Sequence, residues 1–276
     1  MNDCSNLSET LNYVRNLDAG NHGVFFYASQ CEKHQVLFNF LQAGVQKGEG
    51  VIYVSSQETS KQIRRHMKNF GLDIKSLEKD GVLKVFDYSD WYIINGEVNC
   101  SHTIRLGMRL FYEMMQIGLK GLRGCGEAAC FFEHEKGKEL LEYELSLGRK
   151  TNFPMTALCA YDVNHAKSLS DRLFFDLIKA HGPVITSNFA QEVKFENLFP
   201  QIMDEVIETV FGSMGKQTIL TTLEKKRSLS LQNIGENSND FIDELEKILG
   251  SGAQVMTKLA AQQMHSEIGI TQSERH

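Results

Sequence analysis

Residues 22–57 read HGVFFYASQCEKHQVLFNFLQAGVQKGEGVIYVSSQ. An apolar run, Gly23 to Tyr27, meets a polar turn, then an amphipathic helical pattern, then a second apolar run from Gly50 to Ser55. Strand, turn, helix and strand in that order make a parallel βαβ unit. In phosphate-cradling proteins the turn after such a first strand is rich in glycine and ends in Gly-Lys-Ser/Thr. Here it is Ala28-Ser29-Gln30-Cys31-Glu32-Lys33-His34 and holds no glycine. The layout is that of an NTPase, and the chemistry of the turn is not.

Outward from this unit, strand-like runs continue at Val82–Asp87, Gly121–Cys125, Met155–Tyr161 and Val184–Ser187, after Val24–Tyr27 and Val51–Ser55. They are nearly continuous in apolar character, as strands of a parallel sheet covered on both faces are. Helical patterns at Lys33–Lys47, Thr59–Phe70, Ser101–Ile117, Glu135–Leu147 and His165–Ala180 supply the crossovers. Gly48, Gly50 and Gly71 mark helix ends, Asn164 reads as an N-cap, and the break at Asn152–Pro154 precedes the fifth strand. After Asn188 no strand pattern follows. Helices are predicted at Leu198–Phe211, Lys216–Lys226, Ser238–Leu249 and Gly252–Ile268. The predicted fold is therefore α/β, a mainly parallel sheet flanked by helices, with a small C-terminal all-α domain. The expected divisions are a segment 1–19, a sheet domain 20–188 and a helical domain 195–276.

The 276 residues carry a formal net charge of -6, concentrated toward the C-terminus. Neither part has the basic surplus that binding a phosphate backbone needs, which argues against direct nucleic-acid binding. No apolar run is long enough to cross a membrane, and MNDCSNLSET is no secretory signal. Six scattered cysteines without a CxxC pair point to a reducing cytoplasm.

Ligands of open parallel sheets bind beyond the carboxyl ends of the strands. That rule singles out Tyr27, Ser29, Cys31, Lys33 and His34 after the first strand, Glu127 after the fourth, and Tyr161 and Asp162 after the fifth. Glu127 lies among Cys, Ala and Phe in GCGEAACFF, where a carboxylate is costly without a partner. His22 precedes the first strand and reads as a turn histidine at the opposite edge. Cys125, Cys130 and His134 with Glu133 and Glu135 lack metal-ligand spacing and read as core thiols and solvated charges. Trp91 and Tyr92 in SDWYIINGE form either a pocket lid or local packing, with packing the simpler reading. Lys61, Arg64, Arg65 and Lys68 share one helical face, a solvated face or a surface for an acidic partner.

With these residues in view, the stretch from His22 to Gln57 together with GVLKVFDYSDWY, RGCGEAACFF, LLEYELSL and ALCAYD resembles the MEDS domain. That is a sensory domain of methanogens, methylotrophs and a dichloromethane-responsive regulator. The resemblance covers roughly residues 20–185. It implies a RecA- and KaiC-like fold with a lost phosphate loop, a sensor of small molecules such as hydrocarbon derivatives, coupled to signalling or transcription. It also implies motif positions at Glu127, Glu142, Glu144, Cys159 and Tyr161, with Ala160 between the last two a local departure. Residues of about 205–270, with Leu-Glu-Lys-Lys at 223–226, the Asn233–Asn239 turn and Gly250-Ser-Gly-Ala253, resemble a helical output domain of the NitrOD type found in archaeal signalling proteins.

The expected protein is a cytoplasmic sensor of a small-molecule ligand, relaying through residues 195–276 to a protein partner or to a second copy of itself. The sequence leaves open which cofactor, if any, is bound. The alternative is an ATPase or phosphotransferase with an atypical phosphate loop, and a ligand-free scaffold is a third reading.

Overall fold

The computed structural model describes residues 7–150 and 155–270. Helix α1 (Ser8–Arg15) leads into β1 (His22–Tyr27), α2 (Gln30–Lys47), β2 (Gly50–Ser55), α3 (Ser60–Phe70), α4 (Ile74–Lys79) and β3 (Leu83–Asp87). A small hairpin, β4 (Ile93–Ile94) and β5 (Glu97–Val98), precedes α5 (Cys100–Gln116), β6 (Leu122–Glu127), α6 (Ala129–Glu133), α7 (Gly137–Leu147), β7 (Met155–Asp162) and α8 (Val163–Ser168). Then come α9 (Asp171–Ala180), β8 (Pro183–Ile185), β9 (Ala190–Glu192), α10 (Phe195–Arg227), α11 (Ser238–Leu249) and α12 (Gly252–Glu267).

The main sheet has seven strands in the order β3-β2-β6-β7-β1-β8-β9. Every pairing is parallel except β8 with β9. The parallel α/β sheet and the C-terminal helices read from the sequence are present. β9 departs from the expectation that no strand follows Asn188. Its alternation is too short to read, and it forms because Val184 and Ile185 present an edge for Gln191 and Ala190.

Local chemistry explains the boundaries. Ser29 opens α2, its Oγ accepting from the Glu32 amide, and Glu32 in turn accepts from the Ala28 amide at 2.9 Å. Thr59 and Gln62 form a reciprocal capping box on α3. Gly48 and Gly71 end these helices at φ of 77° and 108°, where a side chain would be strained. Asn164 is not the cap the sequence pointed to. It lies inside α8, and the Asp162 carboxylate accepts its amide at 2.8 Å. The single helix expected over His165–Ala180 is interrupted, because Ser170 caps a new start by accepting from the Leu173 amide. The break read at Asn152–Pro154 lies outside the described residues.

The described residues form two compact units: 7–168 with Ala180–Glu192, and Leu169–Lys179 with 193–270. In the first, one sheet face packs on α2 and α3. Phe25, Tyr27, Tyr53 and Leu158 meet Phe38, Phe40 and Leu41 there. Register puts His22, Val24, Gly124, Gly126, Ala157, Cys159 and Tyr161 on the opposite face, toward α5 and α7. Arg123 is almost wholly buried. It donates to Glu49 and to the carbonyls of Val14 and Leu17, and it lies over the Phe40 ring. That fastens the end of α1 to the sheet core.

The second unit holds α9 to α12 around Phe175, Phe195, Phe199 and Phe241. Arg172 of α9 bridges Asp243 and Glu246 of α11 at 2.6 and 3.0 Å. The two helices expected at Leu198–Phe211 and Lys216–Lys226 run as α10, broken at Gly212 (φ 67°). Pro200 lacks the amide that would bond the Glu196 carbonyl, and Gly235 comes so close that a Cβ would sit 2.3 Å from that oxygen.

Candidate functional site

The carboxyl end of β1 is closed. Only Ala28 and Ser29 separate β1 from α2; Ser29 Oγ accepts the Glu32 amide, and the Glu32 carboxylate turns back to accept the Ala28 amide. Lys33 points inward and is completely buried. Its Nζ lies 3.0 Å from Glu127 Oε1, 3.3 Å from Glu58 Oε2 and 3.2 Å from Gln57 Oε1. Glu127, equally buried, also accepts from the Tyr53 hydroxyl at 2.5 Å and from the amides of Ser56 and Gln57 at 3.1 and 2.9 Å. Both charges are thus neutralised and hydrogen-bonded inside the fold.

The other residues singled out after β1 surround this pair. The Tyr27 hydroxyl donates to Gln57 at 2.9 Å, its ring lies 5.6 Å from Lys33 Nζ, and burial with the Glu127 charge pushes its pKa up. His34 is half-buried, bonds Glu58 at 2.6 Å and stacks on His66. Cys31 is exposed on the first turn of α2.

On the opposite face lies a cavity of about 300 Å³. Its floor is Gly124, Gly126, Ala157 and Cys159, with Ile52 and Val54 beside them. Thr103, Ile104, Gly107 and Met108 of α5 and Tyr143, Ser146 and Leu147 of α7 form the walls, and Trp91 and Tyr92 complete them. The glycines of RGCGE make this space. A Cβ on Gly124 would touch nothing within 4 Å, whereas one on Gly126 would sit 1.9 Å from the Tyr92 hydroxyl. Tyr92 is wedged against Phe131 and Tyr143, with ring centroids 5.1 and 5.3 Å away. None of the eight residues singled out by the strand-end rule lines this cavity.

Beside the cavity, four buried side chains converge. His22 Nε2 lies 3.2 Å from Glu144 Oε2 and 3.3 Å from Cys159 Sγ. His181 Nε2 is 3.5 Å from the same Glu144 oxygen, and Cys159 Sγ is 3.4 Å from it. The Tyr161 hydroxyl donates to the other Glu144 oxygen. Burial alone would raise the Glu144 carboxyl, but His181 and His22 hold it well below the usual carboxylate range. Burial, reinforced by Glu144, pushes the Cys159 thiol well up.

Among the described residues this is the group whose ligating atoms lie close enough together, all within 4.8 Å, to share a metal ion. Cys125, Cys130 and His134 do not converge. Cys125 belongs to the α2 face, the Cys130 amide donates to Ser56 Oγ, and His134 meets the Tyr88 hydroxyl at 3.2 Å. His22 is not a turn histidine; it is the first residue of β1, fully buried. The sequence signal for it was the polar residue heading an unbroken apolar strand. His181, between α9 and β8, had no local signal at all. Of the strand-end residues, Tyr161 reaches this cluster, and Asp162 caps α8.

No curated protein matches this chain. Among solved structures, a KaiC-like protein from Pyrococcus horikoshii OT3 superposes with a TM-score of 0.44 at 18% identity, covering 61% of this chain and 71% of its own. A second structure from the same archaeon, described as a structural study of Project ID PH0250, gives a TM-score of 0.44 at 9% identity, over 69% and 94% of the two chains. The family model described as MEDS, the MEthanogen/methylotroph, DcmR Sensory domain, matches residues 21–182, which hold the closed β1 end and the cavity and end just beyond His181. The chain belongs to the MEDS family of sensory domains.

Proposed function

We propose that the protein senses a small, largely apolar organic molecule, which binds in the cavity between the Gly124/Gly126 floor and helices α5 and α7. The observation that carries this reading is the cavity itself, apolar and floored by glycines where the neighbouring strands carry side chains. Binding pockets are concave and mostly apolar, with few polar groups to fix orientation. Here those groups are the Thr103 and Ser146 hydroxyls and the Cys159 thiol. Tyr92 and Trp91 act as the wall nearest the hairpin.

A sensor needs no turnover, and the closed β1 end supports that view. A phosphate loop spends its lysine on the ligand. Lys33 spends its charge on Glu127 and Glu58, and the connection is two residues long and holds no glycine to let backbone amides approach a phosphate. We read it as a phosphate-loop position converted to structural use. The helical unit, α9 to α12, is proposed as a NitrOD-type output module that self-associates or meets a partner protein. A ligand transmits a signal only by binding one arrangement of the protein better than another.

The test is thermal unfolding against straight-chain alcohols and haloalkanes of increasing size. A binding compound raises the midpoint with concentration, as linkage requires, and Gly124→Leu abolishes the effect by filling the cavity. A midpoint that no compound moves contradicts the reading.

A further inference from the structure

Four observations on the cluster beside the cavity point the same way. The donors are two imidazoles, a thiol and a carboxylate, the set that zinc and its tetrahedral relatives bind and that calcium and magnesium do not. Zinc with bonds of about 2.0–2.3 Å to such donors sets ligand-to-ligand edges of roughly 3.3–3.6 Å. Four of the six separations are 3.2, 3.3, 3.4 and 3.5 Å, and all six lie within 4.8 Å, so His181 closes the tetrahedron by a small inward shift.

The supporting contacts of a metal site are also present. His22 Nδ1 meets the Gly148 carbonyl at 2.9 Å, which places the proton there and turns the Nε2 lone pair toward the centre. Tyr161 holds the Glu144 oxygen that faces away from it. Finally, His22, Glu144 and His181 are at most 1% exposed and Cys159 is 5% exposed. A carboxylate and a thiolate around a divalent ion make a neutral assembly, which is what a dry interior tolerates.

We propose that His22 Nε2, His181 Nε2, Glu144 Oε2 and Cys159 Sγ bind a single zinc-class ion. The ion joins β1, α7, β7 and the residue run leading to β8, elements that adjoin one another only in the folded chain. Binding displaces the Cys159 thiol proton to solvent. Because Cys159 also lines the cavity, the ion sits in the cavity wall. The inference does not depend on an organic ligand, and metal content is measured with none present. A failed ligand screen therefore leaves it standing, and a metal-free protein leaves the cavity reading standing.

The experiment uses the full chain, loaded with zinc, dialysed and assayed for metal, then reloaded with cobalt for absorption spectroscopy. The expected result is stoichiometric zinc that survives dialysis, and a cobalt form with tetrahedral d–d bands and a thiolate-to-cobalt charge-transfer band. Cys159→Ser loses that band, and Tyr161→Phe weakens zinc affinity about 10–100-fold while leaving the band in place. The cobalt spectrum of the unaltered protein needs no variant to fold. Zinc lost completely on dialysis, or a charge-transfer band unchanged in Cys159→Ser, overturns the proposal.

Discussion

Lys33 carries its ammonium into the sheet domain and leaves no part of it in water. A charge there is stable only because Glu127, Glu58 and Gln57 surround it. Lys33→Met therefore leaves Glu127 as an uncompensated buried charge, at a cost of about 3–5 kcal/mol. Lys33→Met combined with Glu127→Gln is expected to be less damaging than Lys33→Met alone, the two coupling by about 0.5–3 kcal/mol. Chemical denaturation of the three variants checks this; additive losses would mean that the pair is not coupled. The neighbouring His34 gives a pH dependence. Burial, with help from Lys33 and His66, holds its imidazole below the ordinary value against the pull of Glu58. Burial pushes Glu58 up, but His34 and Lys33 bring it down overall. A histidine lowered on folding stabilises above its unfolded value of about 6.5, and a lowered glutamate stabilises above about 4.3, so both contributions are lost on acidification. The denaturation midpoint is expected to fall as pH drops through the first value and further through the second. His34→Gln is expected to flatten the upper part; an unchanged upper slope would assign it to other groups.

At the scale of the element, β6 decides where space exists. Its residues alternate between a packed face, with Arg123, Cys125 and Glu127, and a bare face, with Gly124 and Gly126. Gly126 is bare because Tyr92 fills the gap, and Gly124 is bare with nothing in it. Gly126→Ala is expected to destabilise by about 1–3 kcal/mol through overpacking. Gly124→Ala is expected to be neutral or to stabilise by about 0.4–1 kcal/mol through the unfolded chain. Equal effects in thermal unfolding would place the cavity elsewhere. The sequence made β6 legible as a strand, since apolar character and strand length are local properties. It did not show the cavity, because the bare face of RGCGE becomes a void only when α5 and α7 span it. The strand-end rule led to Glu127 and Lys33, which the fold brings together, but on the face turned away from the cavity. His181 was illegible for the same reason as the void: β8 lies next to β1 only through the strand order, and that order is not written in any local stretch.

The whole molecule pairs a sheet unit with a helical one, and α9 shows why their limits were hard to read. The segment Leu169–Lys179 precedes β8 in the chain yet belongs to the helical unit. Phe175 meets Phe195 and Phe199 there, with ring centroids 6.5 and 5.2 Å away. Phe175→Ala is thus expected to cost about 3–5 kcal/mol. Hydrogen exchange should show the loss in α10 to α12, with protection in β1, β2, β6 and β7 kept; the reverse pattern would assign α9 to the sheet unit. The central claim, that a small apolar molecule occupies the cavity of this sensory domain, has a built-in reporter. Trp91 is the only tryptophan of the chain and lines the cavity wall. Titrating the full protein with short haloalkanes and alcohols while following Trp91 emission tests the claim most directly. A saturable change in the unaltered protein that is absent in Gly124→Leu is the predicted result. No saturable change with any compound, or the same change in both proteins, would contradict it.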